Sequence, residues 1–305
     1  MRTHPHRKRR NRDVNMAYFL EYSAVGIAAG GVYALIALGI VVIFKSSQTF
    51  NFAAGEMMTM SAYMFYTAAV TFSFGIYLGL IAALVGSVLV ALIIERFALR
   101  PMAGRPYIAI VMVTFGIGSI MRGIMAMIWG ANELQIPAIL ARDPVWIGEL
   151  FIPGKTARAF AIAVIIVLSL ITFLRYSRAG VALRAAAADQ ITAYSMGIDV
   201  RKIVAFAWGI AAITGGISGI LMANVNSLTP HLGVVALNVL SVVILGGMNS
   251  IGGVLVAGLI IGWLEAVTGL FLGTEFREIT PYILVLLVLL FRPTGLFGGK
   301  EVERI

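Results

Sequence analysis

The stretch Phe44–Met64, "FKSSQTFNFAAGEMMTMSAYM", sets Lys45, Gln48, Asn51 and Glu56 between two strongly apolar runs, with Gly55 beside the acid. A carboxylate near bilayer depth costs ~2.5–3.5 kcal/mol or more, so it turns to a bundle interior or to water. Non-helical backbone at that depth survives only where protein or a water-filled cavity covers it. The stretch therefore reads as an interrupted membrane segment. Glu56 is a candidate for accepting hydrogen bonds from exposed backbone at the break, and for lining a pathway. Next to Gly55 it sits where a half-helix N-terminus would favour an anion.

The rest of the 305-residue chain fits a membrane setting. It is 60% hydrophobic and 12% charged, against about 25% charged in soluble domains. Apolar segments recur at Ala17–Phe44, Phe50–Phe72, Ile76–Phe97, Ile108–Trp129, Ala157–Leu174, Ile203–Ala223, Val235–Gly253, Val254–Leu272 and Ile279–Phe291. Most approach the ~20 residues that cross a bilayer. The expected fold is all-α, a polytopic transmembrane helix bundle with about eight membrane segments, including broken or re-entrant helices. Residues 17–292 form one membrane domain, flanked by tails 1–16 and 293–305.

Charge sets the expected topology. The net charge of +9 gathers in short loops, which points to membrane orientation rather than nucleic acid. Arg96, Arg100 and Arg105, the loop Arg175–Lys202, and the region from Arg292 are basic and read as cytoplasmic. The tail "MRTHPHRKRRNRDVNM" holds six basic residues and one acid, and reads as a cytoplasmic anchor. Met16 offers a second translation start. With both the tail and Arg96 inside, the three apolar segments between them leave an odd count. Phe50–Phe72 is then the segment that fails to cross.

Other chemistry finds little support. There is no cysteine, and two of the three histidines, His4 and His6, lie in the tail, so a thiolate or histidine metal centre is not expected. "GELFIPGKT" (Gly148–Thr156) imitates a phosphate-binding loop, but five residues separate its glycines where four are needed.

Two further stretches carry function. "NVLSVVILGGMNSIGGVLVAG" (Asn238–Gly258) pairs Gly246–Gly247 and Gly252–Gly253 around Met248, Asn249, Ser250 and Ile251. Glycine-interrupted apolar segments in the two halves of a transporter point to its path; a tight turn between short helices is the plainer reading. "RYSRAGVALRAAAADQITAYSMGIDVRKI" (Arg175–Ile203) favours one helix from Val181 to Ser195, stopped at Gly197. That helix either lies on the membrane through Arg175, Arg178 and Arg184, or docks into a groove on a soluble partner through small alanines, Tyr194 and Met196. "GIAAG", "GIYLG", "GGISG" and "GLIIG" set glycines four apart, spacing that lets helix backbones approach closely.

Together, "FKSSQTFNFAAGEMM", "LRAAAADQITAYSMGIDVRKI", "ILGGMNSIGG" and "LLFRPTGLFG" resemble the LivH-type permease subunits of branched-chain amino acid (HAAT-type) ABC transporters, over nearly the whole chain after Met16. The family's "NFAAGE" stretch often has His where Ala54 stands, and a glycine where Asn249 stands. The resemblance implies a bacterial inner-membrane, non-catalytic subunit that moves branched-chain amino acids or a related small solute by alternating access. It implies a LivM-like permease partner, two LivG/LivF-like ABC ATPase subunits and a periplasmic solute-binding protein, in membrane lipid. ATP and Mg would be bound by the ATPase subunits, with no cofactor in this chain. Arg184, Asp189, Ala193, Tyr194, Met196 and Gly197 would couple to the ATPases. Asn51, Gly55, Glu56, Gly246, Gly247 and Asn249 would line the pathway or support broken helices. The alternative from another class is an autonomous proton-coupled secondary transporter using Glu56.

Overall fold

The computed structural model describes residues 5–298 except 141, 142 and 149. The outer parts of both tails, and the side chains before Met16, lie outside the described residues. The centre of the bundle is α1 (Pro5–Ser47). Every residue from Gly30 to Phe44 is buried, and other helices pack around it.

Among the described residues, six helical stretches are long and apolar enough to cross a membrane: Tyr18–Ser47, Gly75–Met102, Tyr107–Trp129, Gly154–Tyr176, Val200–Asn226 and Ile251–Phe271. They contain, besides α1, the helices α3 (Gly75–Ile93), α4 (Tyr107–Trp129), α5 (Gly154–Tyr176), α8 (Val200–Asn226) and α10 (Ile251–Phe271). Two helices are shorter, α2 (Ala54–Tyr66), which continues into a π-turn at Thr67–Thr71, and α9 (Val235–Gly246), and α11 (Thr274–Phe291) follows α10. The broken segments expected at Phe50–Phe72 and Val235–Gly253 are both present. A hairpin of β1 (Val145–Ile147) and β2 (Leu150–Ile152) lies between α4 and α5.

Packing follows the rule for helices in lipid, with small residues inward and large apolar residues outward. On α3, Gly79, Ala83, Ser87 and Ala91 are buried, while Leu78, Ile81, Val85 and Leu89 are exposed. One close contact joins α1 to α10. A Cβ on Gly30 would lie 2.4 Å from the Gly258 carbonyl oxygen, and one on Gly262 would lie 2.4 Å from that of Gly26. No side chain fits there, so "GIAAG" and "GLIIG" are the two halves of one interface. Gly75 and Gly215 meet nothing within 4 Å, so two of the four glycine motifs only partly serve packing.

One end of the bundle gathers the basic loops. The Gln190 side chain donates to the Ser46 carbonyl at the end of α1 (3.0 Å), and Ser47, Thr49, Arg100 and Arg201 line one cavity there. At the other end, the Phe151 amide of β2 donates to Glu21 on α1 (3.1 Å). Glu21 of α1 thus lies at the end of the bundle opposite Gln190 and Ser46. Residues 48–53 lead inward from the basic end, and α2 carries the chain on to Thr67, whose hydroxyl accepts from the Trp129 indole at the far end (2.8 Å). Phe50–Phe72 therefore runs from one end of the bundle toward the other as a non-helical lead-in plus the helix Ala54–Tyr66, continued by a π-turn at Thr67–Thr71; it is broken but does not turn back.

Candidate functional site

The half-helices α2 and α9 start at the same place in the interior and run to opposite ends of the bundle. Asn51 shapes the entry to α2: its side-chain oxygen accepts from the Ala53 amide (3.0 Å). The Phe52 amide donates to the Thr114 hydroxyl of α4 (3.3 Å). These bonds satisfy backbone that no helix serves. Before α9, a 3₁₀ turn, Leu232–Val234, supplies the matching start. The two starts touch through glycines. A Cβ on Gly55 would lie 2.2 Å from the Gly233 carbonyl oxygen, and one on Gly233 would lie 2.9 Å from the Gly55 carbonyl carbon.

Beside this contact is a cavity of about 150 Å³, lined among others by Asn51, Glu56, Phe115, Arg122, Gly233 and Leu237. Glu56, buried in the first turn of α2, pairs with the Arg122 guanidinium of α4. The helix N-terminus adds favourable potential for the carboxylate. Gly118 leaves room for it, since a Cβ there would stand 3.2 Å from Glu56 Oε2. Among the described residues, the Arg122 Nε–H is buried without a partner. The cavity therefore offers an anionic group, a cationic group and apolar walls.

Asn51, Gly55 and Glu56 meet at this cavity, but Gly246, Gly247 and Asn249 do not. They lie at the far end of α9, roughly 18 Å along a 12-residue helix. Gly247, at φ +93°, makes a turn tight against Gly298, and Asn249 is exposed. Gly233, in the connector "NVNSLTPHLG", holds the place that the glycine pairs were expected to hold. Its signal was the pattern of a helix start, Pro230 and then Gly233 ahead of an apolar run.

The basic loop forms two helices instead of the single one expected: α6 (Arg178–Ala188) and α7 (Gln190–Ser195). Asp189 breaks them. Its backbone is extended, at φ −161° and ψ 112°, and its side chain accepts from the Ile191 and Thr192 amides (2.9 and 3.1 Å). A capping aspartate competes successfully with helix continuation. Gly197, at φ +84°, ends α7. Its amide bonds the Tyr194 carbonyl and the Ile198 amide bonds that of Ala193, both at 3.0 Å, which makes a Schellman motif. Asp199 then caps α8; hydrogen bonds from the Lys202 amide and side chain hold its carboxyl below the usual carboxylate range.

The six residues expected on this loop divide by position. Tyr194 and Met196 are 74% and 78% exposed, together with Ile191 at 81%. Ala193 is buried at 3% and seats α7. Arg184 donates to the Leu174 and Arg175 carbonyls, so it ties α6 to the end of α5. Asp189 and Gly197 shape the turns. Only Tyr194 and Met196, among the six, present large apolar groups outward.

The family model described as "Branched-chain amino acid transport system / permease component" matches residues 23–291. The chain belongs to this permease family. The permease is 31% identical to the high-affinity branched-chain amino acid transport system permease protein LivH of Escherichia coli, over 94% of this chain and 98% of the relative. It is 30% identical to LivH of Salmonella typhimurium over the same shares. It is 28% identical to BraD of Pseudomonas aeruginosa, named as the corresponding permease protein, again over 94% and 98%.

Two charged groups of this permease escaped the sequence reading. Arg122 lies in the span Ile108–Trp129, and its signal was the cost of a lone cation in an apolar run. Glu265, on α10, is buried and accepts from the Tyr33 hydroxyl of α1 (3.0 Å), with Arg277 of α11 3.8 Å away. The same argument would have singled it out.

Proposed function

We propose that this permease is the membrane-spanning subunit of a bacterial inner-membrane ABC importer for branched-chain amino acids or a related small zwitterion. The observation that carries the reading is the Glu56–Arg122 pair beside the meeting point of two half-helices. Broken helices of opposite direction are a transporter's way of offering polar groups at mid-membrane. A zwitterion carries the complement of that pair, an ammonium for the carboxylate and a carboxylate for the guanidinium. The names of the relatives supply the solute class.

Energy would come from two separate ABC ATPase subunits that bind ATP and Mg. A LivM-like second permease would complete the path, and a periplasmic binding protein would deliver solute. Ile191 and Tyr194 of α7, with Met196 just after it, would enter a groove on the ATPase. This reading puts the basic end of the bundle in the cytoplasm, with the C-terminal tail there and the start of α1 outside. Alternating access then requires α7 to contact the ATPase differently in its two states.

A proton carrier needs a carboxylate free to load, whereas Arg122 already occupies Glu56. The test is uptake of labelled leucine into proteoliposomes. Uptake should require both permeases, the ATPases, the binding protein and ATP. Uptake by this chain alone, driven by a pH gradient and lost in Glu56→Gln, would reject the importer.

A further inference from the structure

At the basic end of the bundle, a crevice of about 520 Å³ opens between the end of α1, the end of α5, α6 and the start of α10. Three cations line it, Lys45, Arg175 and Arg184, and no acid does. Lys45 is partly buried and close enough to Arg184 to feel its charge. Among the described residues it has no hydrogen bond or ion pair. Like charges held together at a partly buried site leave an electrostatic cost that an anion would relieve.

Helix geometry adds to that field. Ile251 and Gly252, the first two residues of α10, also line the crevice. Among the described residues their amides find no acceptor; the Ser250 side chain serves Gly253 instead. Free amides at a helix start, with the positive end of the macrodipole, suit an anion. The remaining walls are apolar, including Ile171 and Leu174. The crevice continues onto the outward face of α5, where Ile165, Leu168, Phe173 and Tyr176 are exposed.

We propose that this crevice binds the headgroup of an anionic membrane phospholipid, phosphate against Lys45, Arg175 and the start of α10, acyl chains along α5. Charge selects the headgroup, and continuity with the lipid-facing surface selects a lipid over free phosphate. Basic pockets between membrane helices at the cytoplasmic side recognise lipids in this way. The bound lipid would brace α6, and through it α7, against α1 and α10. The site is independent of which solute the permease carries.

The test uses the purified full chain, titrated with phosphatidylglycerol or phosphatidylcholine of the same acyl composition and followed by native mass spectrometry. Wild type should retain phosphatidylglycerol preferentially. Lys45→Gln and Arg175→Gln should each weaken it about fivefold, the worth of one interfacial cation. Lys45→Arg should restore it, and phosphatidylcholine retention should not change. Equal retention of both lipids by wild type, or wild-type affinity in Lys45→Gln, would overturn the proposal. Displacement by inorganic phosphate at the lipid's own concentration would make the crevice a free-phosphate site. Unchanged lipid retention with loss of a co-purifying ATPase in Lys45→Gln would make it a protein contact. Either result overturns the lipid assignment.

Discussion

Glu56 of α2 and Arg122 of α4 form an ion pair whose two sides are unequally covered: the carboxylate side chain is 7% exposed and the guanidinium side chain 41%. Removing either partner should therefore cost different amounts. Arg122→Met strands a carboxylate in the interior. Breaking a wholly buried pair costs about 3–5 kcal/mol; solvent at Arg122 reduces this to about 2–3 kcal/mol. Glu56→Gln strands a group that already reaches solvent, at roughly 1 kcal/mol. The double variant should be more stable than Arg122→Met alone. Unfolding of the three variants in one detergent reads the order directly.

The same pair separates two roles for Glu56. If it only holds the α2 entry together, Glu56→Gln should leave the KM for solute near wild type, because the amide still accepts hydrogen bonds. If solute exchanges into the pair, KM should rise about tenfold or more, since charge-assisted hydrogen bonds are about twice as strong as neutral ones. Initial uptake rates against solute concentration in the reconstituted importer distinguish the two.

On α7, neighbouring residues should fail in different ways. Ala193 is 3% exposed and Met196 78%. Ala193→Arg must push a long cation into the seat of the helix, so it should lower the melting temperature and reduce yield. Met196→Arg or Tyr194→Arg should leave melting unchanged while solute-stimulated ATP hydrolysis falls. Full stimulation in Met196→Arg would remove α7 from the coupling path.

Much of the architecture was legible because apolar runs and their interruptions are local. Asn51, Gly55 and Glu56 stood out against their neighbours, and the structure places all three at the α2 entry. What was hidden depended on partners distant in the chain. Nothing near Gly55 says that Gly233 lies against it, and Glu56 does not announce Arg122. Charge counting treats a segment as crossing or not crossing, while Phe50–Phe72 joins a non-helical lead-in to the helical stretch Ala54–Tyr66 and Thr67–Thr71. In the basic loop the alanine run argued for one helix, and the capping power of Asp189 prevailed over it.

Asp189 also yields a modest prediction. Loss of a capping side chain costs about 1 kcal/mol, so Asp189→Ala should destabilise α7 by roughly that amount while the membrane helices hold. Hydrogen exchange should then quicken at Ile191 and Thr192, whose amides it accepts, and not in α8. Asp189→Asn keeps an acceptor and should behave close to wild type.

The glycine contact at the centre gives the sharpest contrast. Gly55→Ala would drive a methyl group to within 2.2 Å of the Gly233 carbonyl oxygen and 2.8 Å of the Ala236 side chain. The oxygen belongs to the turn that starts α9, so it cannot yield without moving that half-helix. Overpacking of this kind costs about 1–3 kcal/mol, and here the strain falls on the cavity itself. Gly215, on α8, meets nothing within 4 Å. Gly215→Ala gains helix propensity of up to about 1 kcal/mol and should be neutral or stabilising. Gly55→Ala should therefore lose uptake together with stability, and Gly215→Ala neither. If Gly55→Ala folds and transports like Gly215→Ala, the two helix starts do not meet as described, and the cavity loses its proposed place as the solute's path.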